Sequence, residues 1–331
     1  MNQSYQKVQE SGEDFGGKLG TVLPWQGCKL PERIPQGDMP GDKIEIGKEH
    51  IEKADVIFPK LLEGLKEVWE KNPYRRAVIT VCGGSGVGKS EIASLLAYYF
   101  RQSGIGSYTL SGDNYPHRIP KYNDAERLHV FRENGIRGMV EDGVFSKEHF
   151  ALLRGWQEEE DDANPVHAKE HPWFSSYLNA GREGLKGYLG TTQEIDFAEV
   201  SRIVAAFKDG AERIWLKRMG REETALWYEE VDFSAVNVLI IEWTHGNSDH
   251  YTGVDFPILL NSTPQETLAH RRARNRDGKT DSAFTMLVLE LEQALLKSQA
   301  KKAKLILSKG GELLSYGDYC RLMEESEAAG S

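Results

Sequence analysis

A glycine-rich segment has the residue types and spacing of a phosphate-binding loop. It follows the pattern G-x-x-x-x-G-K-[ST] and consists of Gly83, Gly84, Ser85, Gly86, Val87, Gly88, Lys89 and Ser90. Glycines let backbone N–H groups converge on phosphate oxygens, and a following helix adds the positive end of its dipole. We expect Lys89 to reach the β- and γ-phosphates of ATP and Ser90 to ligate Mg²⁺. The alternative is a glycine-rich turn that binds no nucleotide.

Two acidic residues stand at the ends of predicted strands. Asp113 follows the strand Ser107 to Leu110, and Glu242 ends a strand that begins near Val236. Ligands of α/β folds bind at the carboxyl ends of strands, so Asp113 is predicted to accept the proton of an attacking hydroxyl. Glu242 is predicted to orient Mg²⁺, directly or through water. The alternatives are a turn aspartate and a strand-end acid that faces solvent.

Four arginines stand close together after the fourth predicted strand, against the acidic trend of the chain. Phosphoryl transfer needs mobile cations that neutralise charge and exclude water, so this segment is predicted to be a lid. In that role we expect Arg271 and Arg274 to take part in catalysis, and Arg272 and Arg276 to contact ATP. The alternative is a solvated helix face, which is the commoner role of a charge cluster.

Alternating strands and helices must position these residues. Short apolar runs predict strands at residues 77–82, 107–110, 236–241, 257–260 and 304–307. Apolar residues at three- and four-residue steps predict helices at 48–70, 91–101, 264–274 and 282–302. Pro59 is expected to kink or split the first of these helices. The order predicts an α/β fold of the P-loop NTPase type, with a doubly wound, mostly parallel sheet.

The chain divides into three parts by composition. Residues 1–45 are rich in Gly, Pro and Gln and are predicted to form an extended arm. Its apolar patch Val22 to Trp25 is expected to dock on another part of the chain. We expect an N-terminal arm and helix at residues 1–72 and a nucleotide-binding domain at 73–331. A long insertion at about 118–210 interrupts that domain. The acidic run Glu158 to Asp162 within it is predicted to be a solvated face.

The insertion and the turn before it are predicted to bind the acceptor. Aromatic rings stack on the apolar faces of sugars, and polar side chains bind hydroxyl groups. The candidates are Tyr115, His117, Arg118, Tyr122 and Trp173. The alternative is that the tryptophans fill the core of a helical subdomain.

Composition limits the remaining functions. The 331 residues include 51 acidic and 41 basic ones, and 51 − 41 gives a net charge of −10, which argues against a nucleic-acid partner. Three cysteines without a C-x-x-C pair favour a reduced, cytoplasmic compartment over a zinc or disulfide framework. We see no signal peptide and no apolar run long enough for a membrane helix. The sequence leaves open whether the chain forms a homo-oligomer.

The chain resembles the P-loop kinases of the uridine kinase and phosphoribulokinase group. In that group a strand pair with an Arg-Glu-Glu-Thr turn leads directly into an acid-ended strand, as Ile214 to Glu242 does here. The resemblance implies an ATP- and Mg²⁺-dependent kinase, with Asp113 as base and Glu242 as the acid on the metal side. The segments that carry it are Gly83–Ser90, Asp113 to Tyr115, Arg221 to Glu242, and Arg271 to Asp277.

The acceptor implied by this group is put in question by two departures. Uridine kinases carry an aspartate that grips the ribose ahead of the region of Ile195, where this chain has Gly190 to Glu194. The histidine of the strand pair is replaced near Lys217 and Arg218, and Arg218 joins the substrate-binding candidates. The chain also resembles sucrose kinase modules of gut bacteria, through its Ser-Gly-Asp-Asn-Tyr-Pro-His-Arg turn and its Glu-Trp-Thr-His-Gly strand end.

These resemblances imply transfer of the γ-phosphate of ATP to a sugar hydroxyl, with sucrose as the first candidate acceptor. A nucleoside of the uridine type is an alternative acceptor. Adenylylsulfate is another, because adenylylsulfate kinases keep an aspartate at the place of Asp113. A nucleotide-dependent regulatory switch without an acceptor is the alternative from another class of protein.

Overall fold

The computed structural model of the chain describes residues 25, 27–263, 265–267 and 282–330. The α-helices are α1 (Lys48–Lys71), α2 (Lys89–Gln102), α3 (Pro120–Glu141), α4 (Lys147–Glu158), α5 (His167–Glu170), α6 (Phe174–Lys186), α7 (Phe197–Lys208), α8 (Ala283–Gln299) and α9 (Tyr316–Gly330). The strands are β1 (Ala77–Gly83), β2 (Ser107–Ser111), β3 (Arg213–Met219), β4 (Leu226–Asp232), β5 (Val238–Glu242), β6 (Phe256–Leu260), β7 (Leu305–Leu307) and β8 (Leu313–Leu314).

The main sheet has the strand order β2-β5-β1-β6-β7-β8. Its strands are parallel except at the pair β7–β8, which confirms the predicted mostly parallel α/β fold. Strand β1 is buried along its whole length, as a strand covered by helices on both faces must be. In the register, Glu242 lies beside Val81 on one side and beside Ser111 on the other. The carboxyl ends of three strands therefore meet at one edge of the sheet.

Strands β3 and β4 form a separate antiparallel hairpin, as the resemblance to the uridine kinase group implies. The hairpin contacts the 3₁₀ turn Gly112–Asn114 that follows β2, because the backbone N–H of Met219 donates to Asn114 Oδ1 at 2.9 Å. The strand pair is thereby attached to the part of the sheet edge where the candidate base lies.

Helix α1 packs on the core of the nucleotide-binding domain. Its buried face, which includes Phe58, Leu61 and Trp69, shares one hydrophobic cluster with β1 and α2. This cluster crosses the proposed domain boundary between residues 72 and 73. The division of the chain into residues 1–72 and 73–331 stays a proposal. Pro59 lies inside α1, which continues unbroken to Lys71. Pro59 was expected to kink or split this helix; the helix is not split, and the kink stays a prediction.

The insertion folds into helices α3 to α7. Helices α3 and α6 approach so closely that a Cβ on Gly138 would lie 2.2 Å from the Cβ of Ala180. A separate hydrophobic cluster fills the part built from α3, α4 and α6, and residues of α8 contribute to it. The buried face of α7 packs instead in the cluster that includes Trp243. Asp162 is buried, with Arg132 donating to it at 2.7 Å, and its place in a solvated acidic run was therefore predicted wrongly. Among the described helices, none is long and apolar enough to cross a membrane.

Candidate active site

The glycine-rich loop lies between β1 and the N-terminus of α2, which is the setting that phosphate binding requires. Gly88 precedes α2 with φ 92°, a left-handed conformation that glycine adopts without steric cost. A Cβ there would also lie 2.8 Å from the ring of His50, a residue of α1. Lys89 Nζ donates to the carbonyl of Gly84 at 3.1 Å, so its ammonium stays with the loop.

Glu242 lies between the glycine-rich loop and the turn that carries Asp113, because β5 lies between β1 and β2. Its carboxylate is buried, and Ser111 Oγ donates to it at 3.5 Å. Burial raises the pKa of Glu242 to about 7; Lys89 opposes this shift, while Asp113 and Asp42 add to it. The carboxylates of Asp113, Asp42 and Glu91 thus act on Glu242 together with the ammonium of Lys89, and a cation would stabilise such a group of carboxylates.

Asp113 is exposed on the 3₁₀ turn after β2, whereas its neighbours are buried. The turn is held against the sheet by Gly112, since a Cβ there would lie 2.0 Å from the indole of Trp243. Asn114 Nδ2 donates to the carbonyl of Ser111 at 3.4 Å and closes the turn from within. The fixed neighbours hold the turn while the carboxylate of Asp113 stays accessible, as a base for a dissolved hydroxyl compound must be.

Tyr115, one of the substrate-binding candidates, lies in the hydrophobic core. The side chain is 0% exposed and belongs to a hydrophobic cluster with Phe197 and Trp243. The sequence analysis chose it because aromatic rings can stack on the apolar faces of sugars. The backbone after the turn instead directs this ring into the core, where a large aromatic side chain is stabilised by burial.

Arg218, one of the substrate-binding candidates, is paired within the protein in this structure. It is buried, and its guanidinium contacts Asp38 at 2.9 Å and Glu229 at 3.0 Å. It also donates to the hydroxyl of Tyr108 at 2.8 Å. These partners use the guanidinium within the protein, and breaking such a buried pair is strongly destabilising.

The other acceptor candidates occupy two places. His117, Arg118 and Tyr122 follow the turn of Asp113: His117 Nε2 lies 3.1 Å from the carbonyl of Thr192, and Arg118 donates to the hydroxyl of Tyr188 at 3.1 Å. Tyr122 is 44% exposed at the start of α3. Trp173 instead stacks on His149, 4.4 Å between ring centroids, at the edge of the helical core of the insertion. Its packing fits the alternative that the tryptophans fill the core of the helical subdomain rather than stack on a sugar.

The four arginines of the predicted lid, Arg271, Arg272, Arg274 and Arg276, lie outside the described residues. The same holds for most of the predicted helix 264–274. Helix α8 begins at Ala283, within one residue of the predicted start at 282. Ser282 is its N-cap, and Ser282 Oγ accepts from the N–H of Thr285 at 3.1 Å.

A buried ionic network beside the loop was missed by the sequence analysis. Glu194 accepts hydrogen bonds from Arg127 at 2.5 Å, from Asn123 at 2.9 Å and from the backbone N–H of Gly190 at 2.6 Å. Arg127 also lies 3.9 Å from Glu292 of α8. The spacing of Asn123 and Arg127, one helical turn apart on α3, was the available signal, since i and i+4 side chains share a face.

Arg127→Ala is expected to reduce the free energy of unfolding by about 3–5 kcal/mol, because it leaves the buried carboxylate of Glu194 without its charged partner. Urea denaturation followed by far-UV circular dichroism measures the loss. Arg137→Ala on the same helix is the control, since Arg137 pairs with exposed Glu133 and its loss is expected to cost less than about 0.5 kcal/mol. Equal losses in the two variants would contradict a stabilising role for the network.

His245 lies in the same buried region. Burial lowers the pKa of its imidazole from 6.5 to about 4, against the opposite effect of Glu194. The ring packs against Gly190, where a Cβ would lie 3.0 Å from it, and edge-on to Trp243. Since the neutral form is favoured in the folded state, this histidine is predicted to pack rather than to exchange protons near neutral pH.

The lowered pKa of His245 predicts a pH-dependent stability. The unfolded chain takes up a proton below pH 6.5, whereas the folded chain resists it down to about pH 4. The stabilisation is therefore complete above pH 6.5 and falls by about 3 kcal/mol as the pH drops to 4. Urea denaturation across this range should show that the difference between wild type and His245→Asn shrinks with falling pH. A difference independent of pH would contradict the buried neutral histidine, and exposed His129→Asn is the control.

The fold and the loop define the class of α/β proteins in which a strand, a glycine-rich phosphate loop and a helix follow one another. Over 254 residues the chain is 40% identical to the bifunctional alpha-galactosidase/sucrose kinase AgaSK of Mediterraneibacter gnavus. The aligned part is 77% of this chain and 22% of the relative, so the chain spans about a fifth of that relative's length. This similarity confirms the resemblance to sucrose kinase modules.

Among solved structures, the chain is similar to the phosphoribulokinase of Rhodobacter spheroides, with a TM-score of 0.41 and 14% identity. The similar region covers 71% of this chain and 70% of that enzyme. No family model matches the chain.

Proposed function

We propose that this chain is an ATP-dependent kinase that transfers the γ-phosphate to a hydroxyl group of a small sugar, with sucrose as the first candidate. The observation that carries the proposal is the convergence of Lys89, Glu242 and Asp113 at the carboxyl ends of neighbouring strands. The choice of a sugar is supported by the 40%-identical relative, whose name includes a sucrose kinase.

The proposed chemistry assigns a separate task to each group. The sugar oxygen attacks the γ-phosphorus, the bond between that phosphorus and the bridging oxygen of ADP breaks, and ADP leaves. Asp113, which is exposed on its turn, accepts the proton of the attacking hydroxyl. Lys89 and the N–H groups of the loop stabilise the charge on the phosphate oxygens. The reaction requires positioning and charge stabilisation above all.

Mg²⁺ fits the environment of Glu242. The buried carboxylate lies in the field of Asp113 and Asp42, and this group of carboxylates suits a hard cation with oxygen ligands. Ser90 follows Lys89 at the start of α2, so its hydroxyl and Glu242 are the residues that would hold the ion. When bound, Mg²⁺ would neutralise charge on the phosphates.

Arg271, Arg272, Arg274 and Arg276 are proposed to clamp the phosphates as the lid. The cytoplasm is the proposed location, on the cysteine content of the chain.

A panel of acceptors tests the proposed function. We would incubate the protein with ATP, MgCl₂ and, in separate reactions, sucrose, other sugars, uridine, other nucleosides, and adenylylsulfate. The expected result is that kcat/KM for a sugar exceeds that for every nucleoside and for adenylylsulfate. Turnover of a nucleoside or of adenylylsulfate alone would overturn the sugar assignment and leave a kinase of another acceptor. ATP binding without transfer to any acceptor would favour the regulatory switch.

A further inference from the structure

The N-terminal arm runs across the domain and reaches the edge of the sheet. Trp25 packs edge-on against Phe58 of α1, 4.6 Å between ring centroids, which places this part of the predicted docking patch on the domain. The hydroxyl of Tyr98 on α2 donates to the carbonyl of Lys29 at 3.0 Å. Further along the arm, Gly37 approaches Thr109 of β2, where an added Cβ would lie 3.2 Å from the methyl group. Strand β2 is the edge strand of the sheet, and the arm lies along it.

Asp38 is the residue through which the arm contacts the candidate site. One of its oxygens accepts from the backbone N–H of Ser111 at 2.6 Å and from Asn114 Nδ2 at 3.2 Å. The other oxygen accepts from the hydroxyl of Tyr108 at 3.0 Å and from Arg218 Nη1 at 2.9 Å. The side chain is 8% exposed. Four donors thus surround one buried carboxylate, as a buried charge requires.

These four donors belong to three elements that must be in register for catalysis. Ser111 and Asn114 flank Gly112 and Asp113, so Asp38 holds the turn of the candidate base from both sides. Asn114 Oδ1 also accepts from the N–H of Met219, and Arg218 lies next to Met219 on β3. The edge strand, the turn and the hairpin are therefore connected through a single residue of the arm.

We infer that Asp38 is a positioning residue of the active site, which fixes the turn of Asp113 relative to the sheet edge and the β3–β4 hairpin. The inference rests on the proposed function, because Asp113 acts there as the base. Misplacement of a reacting group by about 1 Å can cost about 10²-fold in rate. The arm thereby becomes part of the catalytic apparatus, although it lies outside the strand–loop–helix core.

Asp38→Asn replaces one of the two carboxylate oxygens with an NH₂ group and keeps nearly the same side-chain shape. An amide offers one accepting oxygen, so it serves either Ser111 and Asn114 or Tyr108 and Arg218, and the other pair loses its acceptor. Arg218 keeps Glu229 as a charged partner in the variant. The hydrophobic core around the turn stays intact, which favours a folded protein with a loosened turn.

The experiment compares Asp38→Asn with wild type by three measurements. Titration with a fluorescent ATP analogue gives the fraction of competent molecules and the affinity, both expected to stay within about 2-fold. Sugar phosphorylation, normalised to that fraction, is expected to show kcat lowered by about 10- to 100-fold with an unchanged KM for ATP. Hydrogen exchange at the N–H groups of Ser111 and Met219 is expected to be at least about 10-fold faster. Exposed residues of the same arm supply the controls, Glu32→Gln and Glu45→Gln, which should behave as wild type.

The outcomes separate this inference from the proposed function. A normalised kcat within about 2-fold of wild type would overturn the positioning role, whether or not hydrogen exchange changes. A loss of rate that matches the loss of competent molecules would also overturn it, because it would reduce Asp38 to a stabilising residue. If wild type transfers phosphate to no sugar, the proposed function fails first. In that case, unchanged hydrogen exchange at Ser111 and Met219 in Asp38→Asn would independently reject the role of Asp38 in holding the turn.

Discussion

Lys89→Ala is expected to lower kcat for sugar phosphorylation by about 10³-fold, at the upper end of what one electrostatic contact in a preorganised site contributes. The ammonium stays with the loop through its bond to the Gly84 carbonyl, and it also opposes the raised pKa of Glu242. Its removal takes away the cation that reaches the phosphates and makes the charge around Glu242 more negative. Both effects act against the transfer of an anionic group.

Steady-state kinetics with ATP and sucrose measure this loss, and an ATP titration measures the accompanying loss of affinity. Lys60→Ala is the matched control, because Lys60 is exposed on α1 and pairs with Glu63 at 3.3 Å on the same helix. The control should keep kcat and KM within about 2-fold, since exposed pairs of this kind contribute little. A Lys89→Ala enzyme with more than about a tenth of the wild-type kcat would contradict the role of the loop in transfer.

Asp113→Asn is expected to lower kcat by about 10³-fold, within the range that a positioned general base contributes. The change keeps the shape of the side chain and removes its ability to accept the hydroxyl proton. Asp113 is exposed, and Gly112 and Asn114 hold the turn. The free energy of unfolding is therefore expected to change by less than about 0.5 kcal/mol. ATP affinity should stay within about 2-fold.

Single-turnover kinetics together with an ATP titration separate the two roles that remain for Asp113. In a kinase, Asp113→Asn removes phosphoryl transfer and keeps ATP binding. In a regulatory switch without an acceptor, the substitution would have little effect. Asp209→Asn is the control, because Asp209 is an exposed aspartate at the end of α7. Transfer at the wild-type rate in Asp113→Asn would assign the residue to the turn alone.

The strands and the loop could be predicted because local sequence determines them. The run Ala77 to Cys82 is apolar and β-branched and leads into glycines, so a buried strand followed by a tight loop was the consistent interpretation. Glu242 was placed correctly at a strand end by the same argument, and the register brings it beside Ser111. At Pro59, where a kink or a split was expected, the helix is not split, since α1 packs on the domain on both sides of the proline.

The contacts of the site could not be predicted, because they depend on residues far apart in the chain. Asp38 and Arg218 are 180 positions apart, and a Gly- and Pro-rich arm gives no periodic signal of where it lies. Tyr115 stands within two residues of Asp113, yet its ring turns into the core. Glu194 lies in the stretch where this chain departs from the uridine kinase pattern, and Arg127 and Asn123 donate hydrogen bonds to it. Sequence position indicated which residues lie at the carboxyl ends of the strands, and it did not indicate the direction of the side chains.

The central claim is that the strand-end site transfers phosphate from ATP to a sugar hydroxyl. The most direct test is to incubate the protein with ATP labelled at the γ-phosphate, MgCl₂ and sucrose, and to identify the labelled product by chromatography and mass spectrometry. The account predicts one sugar monophosphate for each ADP formed, and almost none with Asp113→Asn. Label found only in inorganic phosphate, or in an acceptor that is not a sugar, would contradict it.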